Sequence, residues 1–318
     1  MMEINKLPAR TWEWLKVNET AVEDFDDVIS KLSVKSYSIN PGETADEPLR
    51  LDVEVSASGT GADLYEFEIG PQSSCTVIQF ITSAGDGDGS RFCLRNRYPV
   101  EDGGSLTLIQ IQDLPDTCEF VNECEGTCDD RASFSAIRIV LGGGKTYLGD
   151  RCSLSGERSS YKSDLGYRLE GSHMLDVNYV ADHTGALSES DIKVSGVMAD
   201  KAEKTFRGTI DFHRGCAGAK GAEIEEVLLL SDDIVNKTVP LILCDEEDVE
   251  GSHGATIGQL DDNLLFYMKS RGIDEDEIYA MMAHARIDTV VSLIQDMNVR
   301  DHVYEMIDGP VRRDCLKQ

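Results

Sequence analysis

The sequence predicts a β-rich body followed by a small helical cap. Short apolar–polar alternation runs from about residue 50 to 245, no convincing amphipathic helix interrupts it, and helical periodicity takes over after residue 258. The first ~45 residues fit neither class and read as an N-terminal arm, which Trp12 and Trp14 are expected to anchor on the body. The strand signal then begins at Leu51–Val55. Tyr65, Phe67 and Ile69 alternate with Glu66 and Glu68, and similar runs occupy residues 76–82, 106–112 and 134–141. Leu175, Val177 and Tyr179 alternate with Asp176 and Asn178. Residues 190–198, the segment FRGTIDF (206–212) and VPLILC (239–244) complete the series.

In the second half the strand centres recur every 15–20 residues, closer than the ~30 residues of a βαβ unit. Periodicity therefore leaves an antiparallel sandwich or a β-solenoid, and it does not choose between them. Beyond residue 258, Asp261 can cap a helix through NLLFYMKSR that Gly272 stops. A second helix opens at Asp274, with Glu275, Asp276 and Glu277 in its first turn, where carboxylates suit the positive dipole end. Ile278, Met281, Met282 and Ala285, then Ile287, Val290, Val291 and Ile294, recur at helical spacing. A third helix carries Val299, Val303, Met306 and Ile307 before Gly309-Pro310.

The 318 residues carry 59 Asp and Glu against 30 Lys and Arg, a formal charge of -29. Such a surface repels phosphate backbones and anionic lipid, which argues against nucleic-acid and membrane partners. No apolar run is long enough to span a bilayer, and no export signal is recognisable. The nine cysteines, at 75, 93, 118, 124, 128, 152, 216, 244 and 315, are odd in number and scattered. They read as reduced thiols of a cytoplasmic protein.

Several motifs invite chemistry. LGGGKTYLG (141–149) has Ile139 where a phosphate loop needs glycine, and a strand follows instead of a helix, so it reads as a turn and no nucleotide is expected on this chain. Cys118, Cys124 and Cys128 lack paired C-x2-C spacing and sit among acids that disfavour thiolate, so they read as reduced loop or core cysteines. His213 and Cys216 form a weak H-x2-C, read as a satisfied histidine beside a buried cysteine. Cys244 ends an apolar strand and reads as core. His253, in GSHGAT, falls where strand periodicity yields to helix, a good place to present a side chain. No common hydrolase motif is present, and the chain is not expected to be an enzyme.

The ordered set of Phe206 and Gly208, Pro240, Glu247-Asp248-Val249, Ser252–Thr256 with Gly258, Leu265-Phe266-Tyr267 and Ser270–Ile273 resembles the C-terminal half of SufB and SufD proteins, with the close match over roughly 205–290. The resemblance implies a right-handed parallel β-helix with a small C-terminal helical domain, divided as 1–45 arm, 46–250 core and 251–318 helical domain. It also implies that the large N-terminal helical domain of many members is absent here or reduced to a short arm. The implied role is a scaffold or accessory component of SUF-type iron–sulfur cluster assembly. Its partners would be a SufC-type ABC ATPase, a second copy or a SufB/SufD paralogue as homodimer or heterodimer, and a cysteine-derived sulfur donor.

A transient iron–sulfur cluster is the implied cofactor. His253 matches the family histidine at the pairing interface and becomes the candidate metal ligand. Gly251 stands where many members carry cysteine, so Cys216, Cys244 or Cys128 are the substitute thiolates, and Glu277 is the candidate interfacial acid. Leu264, Leu265, Phe266, Tyr267, Arg271, Met281 and Met282 are expected to meet the ATPase. A polysaccharide-active β-solenoid enzyme is the alternative, and it requires carboxylates or aromatics along an exposed groove.

Overall fold

The computed structural model describes residues 1–85 and 89–307. Gly309-Pro310 and Cys315 lie outside them. The alternating runs become parallel strands wound into a flattened β-solenoid with two eight-stranded sheets. The odd sheet runs β3 (Lys35–Ile39), β5 (Thr60–Ile69), β7 (Arg91–Val100), β9 (Glu119–Cys128), β11 (Lys145–Leu154), β13 (Met174–His183), β15 (Glu203–Phe212) and β17 (Val235–Cys244). The even sheet runs β4 (Leu49–Val55), β6 (Ser74–Ser83), β8 (Ser105–Asp113), β10 (Ser133–Val140), β12 (Ser160–Leu169), β14 (Glu189–Met198), β16 (Ala219–Leu229) and β18 (Val249–Gly258). The solenoid thus takes in residues on both sides of the expected 46–250 span. In particular GSHGAT, expected at a strand-to-helix junction, lies within β18.

Period-two alternation sends every second side chain into the lumen between the sheets. There Val77, Leu108, Phe134, Leu165, Val194, Leu175, Val177 and Phe206 form one continuous buried core. Several polar groups share the lumen as hydrogen-bonded partners. Gln110 Nε2 donates to Gln79 (2.7 Å), Arg138 Nε donates to Gln110 (2.8 Å), and Arg138 pairs with the buried Asp150 (2.8 Å). One corner repeats from rung to rung as a residue with positive φ whose N–H bonds the next rung: Arg131 N to Glu157 O (2.8 Å), Arg158 N to Ala186 O (2.9 Å), Leu187 N to Ala217 O (2.9 Å) and Gly218 N to Asp248 O (2.6 Å). The glycine-rich 141–149 segment is indeed a turn and strand, and a Cβ on Gly144 would lie 1.9 Å from Asp116 O.

Part of each outer face is covered, by the arm on one side and by the C-terminal helices on the other. On the odd sheet lies the arm, where β1 (Met2–Ile4) and β2 (Thr20–Val22) pair antiparallel and the short α1 (Asp26–Ile29) follows. Ile4, Val22 and Phe25 pack on Ala62, Cys93, Val121 and Tyr147. Trp12 and Trp14, expected as the anchors, instead stack on each other at 70% and 74% exposure. The fastening is polar: buried Arg207 donates to Asp176 Oδ1 (2.6 Å) and to the Val17 carbonyl, and Asn5 Nδ2 and Thr20 Oγ1 each reach Asp176 at 2.7 Å.

On the even sheet, α3 (Glu275–Val291) and α4 (Met297–Ile307) bury Ile287, Val290, Val291, Ile294, Val299 and Val303 against Ile78, Ile109, Ile137, Ile139, Val197 and Leu228. Arg286 Nη1 to Glu226 (2.6 Å) and Arg168 Nη1 to Ile307 O (3.0 Å) fix their placement. No helix among the described residues is long and apolar enough to cross a membrane.

Replacing Arg207 by Met leaves the buried Asp176 carboxylate without its cation, a change that costs about 3–5 kcal/mol where such pairs are broken. We expect a clearly lower denaturant midpoint and faster proteolysis within residues 1–34. An unchanged midpoint would show that the arm is held by its apolar contacts alone.

Candidate functional site at the open rung

Each strand between the two end rungs is hydrogen-bonded to the strand one rung before and one rung after it; β3 and β4 form one end, and the last rung forms the other. β17 pairs only with β15, and β18 only with β16. No residue of either strand is buried, whereas in β15 one rung below only Glu203 is exposed. Register identifies the lumen-facing positions of this open rung. Thr238, Pro240, Ile242 and Cys244 stand over Phe206, Gly208, Ile210 and Phe212. Across the lumen Val249, Gly251, His253, Ala255 and Ile257 stand over Ala219, Gly221, Glu223, Glu225 and Val227.

His253 is therefore exposed for a specific reason: it points along the lumen side of a rung that no other described residue covers. Cys244, expected in the core, is exposed for the same reason, and its Sγ lies 3.0 Å from Glu246 O. Cys216 and Cys128 are buried, the latter 3.8 Å from the Cys152 sulfur, so neither thiol reaches solvent. Burial also pushes the Cys216 and Cys124 thiols up, Cys124 to about 11, away from the reactive thiolate. Gly251 faces the lumen too. A Cβ there would lie 3.1 Å from Phe212 Cε2 and from Ile242 Cγ2, so a side chain at this position points into the rung centre between the sheets. Glu277 is exposed on the first turn of α3, off the strands.

Directly beneath His253 lies a charged cluster that periodicity alone did not reveal. Lys204, Glu223 and Glu225 are lumen-facing and buried. Lys204 is ion-paired with Glu225, whose second oxygen accepts from Thr238 Oγ1 (2.7 Å) on the open rung. Two carboxylates thus share one ammonium. Burial pushes Glu223 up to about 7, partly opposed by Lys204, and burial pulls Lys204 down to about 7, partly opposed by Glu223. Near neutral pH the cluster can hold or release a proton immediately below the His253 position. The legible signal was in the strand pattern itself: Lys204, Glu223 and Glu225 fall on the inward phase of β15 and β16.

The apolar side chains expected to meet the ATPase fall into two groups. On α2 (Asp262–Ser270), which Asp261 caps through Asn263 N (2.7 Å), no residue is buried. Phe266 is 75% exposed, and Leu264 and Tyr267 are exposed beside it, with the Arg271 guanidinium 5.1 Å from the Tyr267 ring centre. Leu265 is half-buried and Met281 is exposed. Met282 packs partly against the even-sheet cluster.

Because Glu223 titrates higher in the fold than its ordinary 4.5, it favours the folded state fully only below that value, and this contribution is lost as pH rises through about 7. The loss amounts to roughly 3 kcal/mol at about 1.4 kcal/mol per unit. We expect Glu223→Gln to match the parent at pH 4.5 and to exceed its urea midpoint at pH 8. Identical midpoints at both pH values would show that Glu223 is ionised and fully compensated in the fold.

Residues 62–286 match the family described as SUF system FeS cluster assembly, SufBD core domain. The chain is similar to the iron–sulfur cluster assembly protein SufD of Bacillus subtilis, 31% identical over 130 residues, which are 41% of this chain and 30% of that protein. It is similar to the SufD protein of Escherichia coli, 22% identical over 285 residues, covering 86% of this chain and 66% of that one. An iron–sulfur cluster assembly SufBD family protein of Mycobacterium leprae is 22% identical over 220 residues, 66% of this chain and 56% of its own length. The chain spans less than two thirds of the length of each relative, from 30% to 66%. The fold, the matched span and the ordered motifs agree, and the chain belongs to the SufBD family of SUF-system iron–sulfur cluster assembly proteins.

Proposed function

We propose that this protein is a scaffold component of iron–sulfur cluster assembly, that it pairs through its open last rung, and that it binds a SufC-type ABC ATPase through α2. The observation that carries the reading is the bare rung itself. Two adjacent ten-residue strands with free edges are a template for another chain. A second copy or a SufB/SufD paralogue seated there would satisfy the backbone edges and close the lumen over His253.

In this reading the nascent cluster is cargo, and the chain supplies ligands and exclusion of water. Neutral imidazole at His253 ligates iron, and Cys244 supplies thiolate in place of the cysteine that Gly251 lacks. Within one chain these two side chains lie at separate inward positions, so partner residues complete the ligand set. An exposed thiol on the rung favours a self-pairing scaffold over an accessory subunit that depends on a paralogue for its thiolate. ATP is handled by the partner ATPase, and the exposed Leu264, Phe266 and Tyr267 face of α2 gives it an apolar docking helix. The polysaccharide-active alternative needs an open groove along a sheet. Here the arm and the C-terminal helices occupy much of the two outer faces and break up any continuous groove.

Anaerobic co-purification with the ATPase followed by cluster reconstitution tests the reading. We expect His253→Ala and Cys244→Ser each to lower cluster yield while preserving ATPase binding. The double change Phe266→Ala with Tyr267→Ala should weaken ATPase binding by roughly tenfold or more and leave the isolated fold intact. Full cluster yield from His253→Ala with Cys244→Ser combined would remove the rung from the assembly site.

A further inference from the structure

Outside the open rung, on the outer face of the odd sheet, Asp182, Asp211 and His213 converge. Asp182 on β13 and Asp211 on β15 are register partners, so their carboxylates sit side by side on one face. His213 follows β15 by one residue and continues the ladder, its N–H bonded to His183 O at 2.9 Å, which puts its ring on the same side as Asp211. His213 Nε2 lies 3.5 Å from Asp211 Oδ2 and 3.9 Å from Asp182 Oδ1, and the three donor atoms lie within 4.8 Å of one another.

One oxygen of this group lacks a hydrogen-bond donor. Arg151 Nε holds Asp182 Oδ2 at 2.6 Å, but Oδ1 of the same carboxylate makes no hydrogen bond, although Asp182 is only 6% exposed. A buried anionic oxygen without a donor is costly, and it faces the imidazole and the second carboxylate. The cluster is also short of positive charge: burial raises the Asp211 carboxyl, and neighbouring Asp182 and Asp245 raise it further against the pull of His213 and Arg151.

We propose that Asp182, Asp211 and His213 bind a divalent first-row transition-metal ion, at a site separate from the open rung. Carboxylate and imidazole donors without thiolate suit Fe(II), Mn(II), Co(II) or Zn(II), and bonds of about 2.0–2.2 Å need only small torsional changes to draw the three donors together. Arg151 acts as a positioning residue, fixing one Asp182 oxygen so that the other points inward. Three protein ligands leave coordination positions for water, so the ion is exchangeable. The site shares a corner with the exposed thiol, because Phe212, between Asp211 and His213, is the register partner of Cys244.

The test is anaerobic titration of the full chain with Co(II), read by its visible ligand-field bands, in a background carrying His253→Ala and Cys244→Ser so that the open rung cannot contribute. This readout involves neither the ATPase nor cluster formation, so it stands or falls separately from the assembly role. We expect one equivalent to bind, and His213→Ala and Asp211→Asn each to weaken it by roughly tenfold or more, with unchanged circular dichroism. Absence of binding in the background protein, or binding that both substitutions leave unaltered, would overturn the site. In that case His213 is only a neighbour of the two carboxylates.

Discussion

The structure depends on parallel stacking without closure. Every strand takes its backbone hydrogen bonds from the rungs on either side, and a solenoid built this way must end in a rung with one side unpaired. The arm covers part of the odd sheet's outer face, reaching from β5 to Asp176 and Arg207 on β13 and β15, and α3 and α4 cover part of the even sheet's outer face. Among the described residues nothing covers β17 and β18. The absence of a single buried residue in either strand follows from this, as does the exposure of His253 and Cys244 at positions whose counterparts one rung below, Glu223 and Phe212, are buried.

The rung beneath is tuned by the same circumstance. Lys204, Glu223 and Glu225 are removed from water by the last rung alone, and Thr238 of that rung supplies a hydrogen bond to Glu225. Deeper in the lumen the polar groups are closed into a chain, Gln79 to Gln110 to Arg138 to Asp150, and there the carboxylate has an arginine of its own. Near the mouth two carboxylates divide one lysine, so a proton is exchangeable where the His253 side is open. Seating a partner on the rung would deepen the burial of this cluster and favour the proton-bound form.

Much of this was legible in the sequence. Alternation located the strands, because inward positions must be apolar, and Asp261 and the heptad-like Ile287–Ile294 spacing located the helices. Register was not legible: nothing in the residues near 244 or 253 shows that the next rung is missing, so Cys244 read as core and His253 as part of a junction. The arm misled in the opposite sense. Its tryptophans are its largest apolar side chains, yet the attachment rests on Arg207 and Asp176, whose pairing spans a register that only the folded sheet creates. Asp182 and His213 were likewise 31 residues apart in sequence and became neighbours through the parallel ladder.

The most direct measurement is amide hydrogen exchange over residues 235–258, followed across a dilution series of the protein and repeated with a SufB/SufD paralogue present. If the open rung is the pairing surface, amides of β17 and β18 gain protection as the concentration of either partner rises, while β7 to β13 stay unchanged. Exchange over 235–258 that is identical at every concentration, with and without the paralogue, would contradict the account.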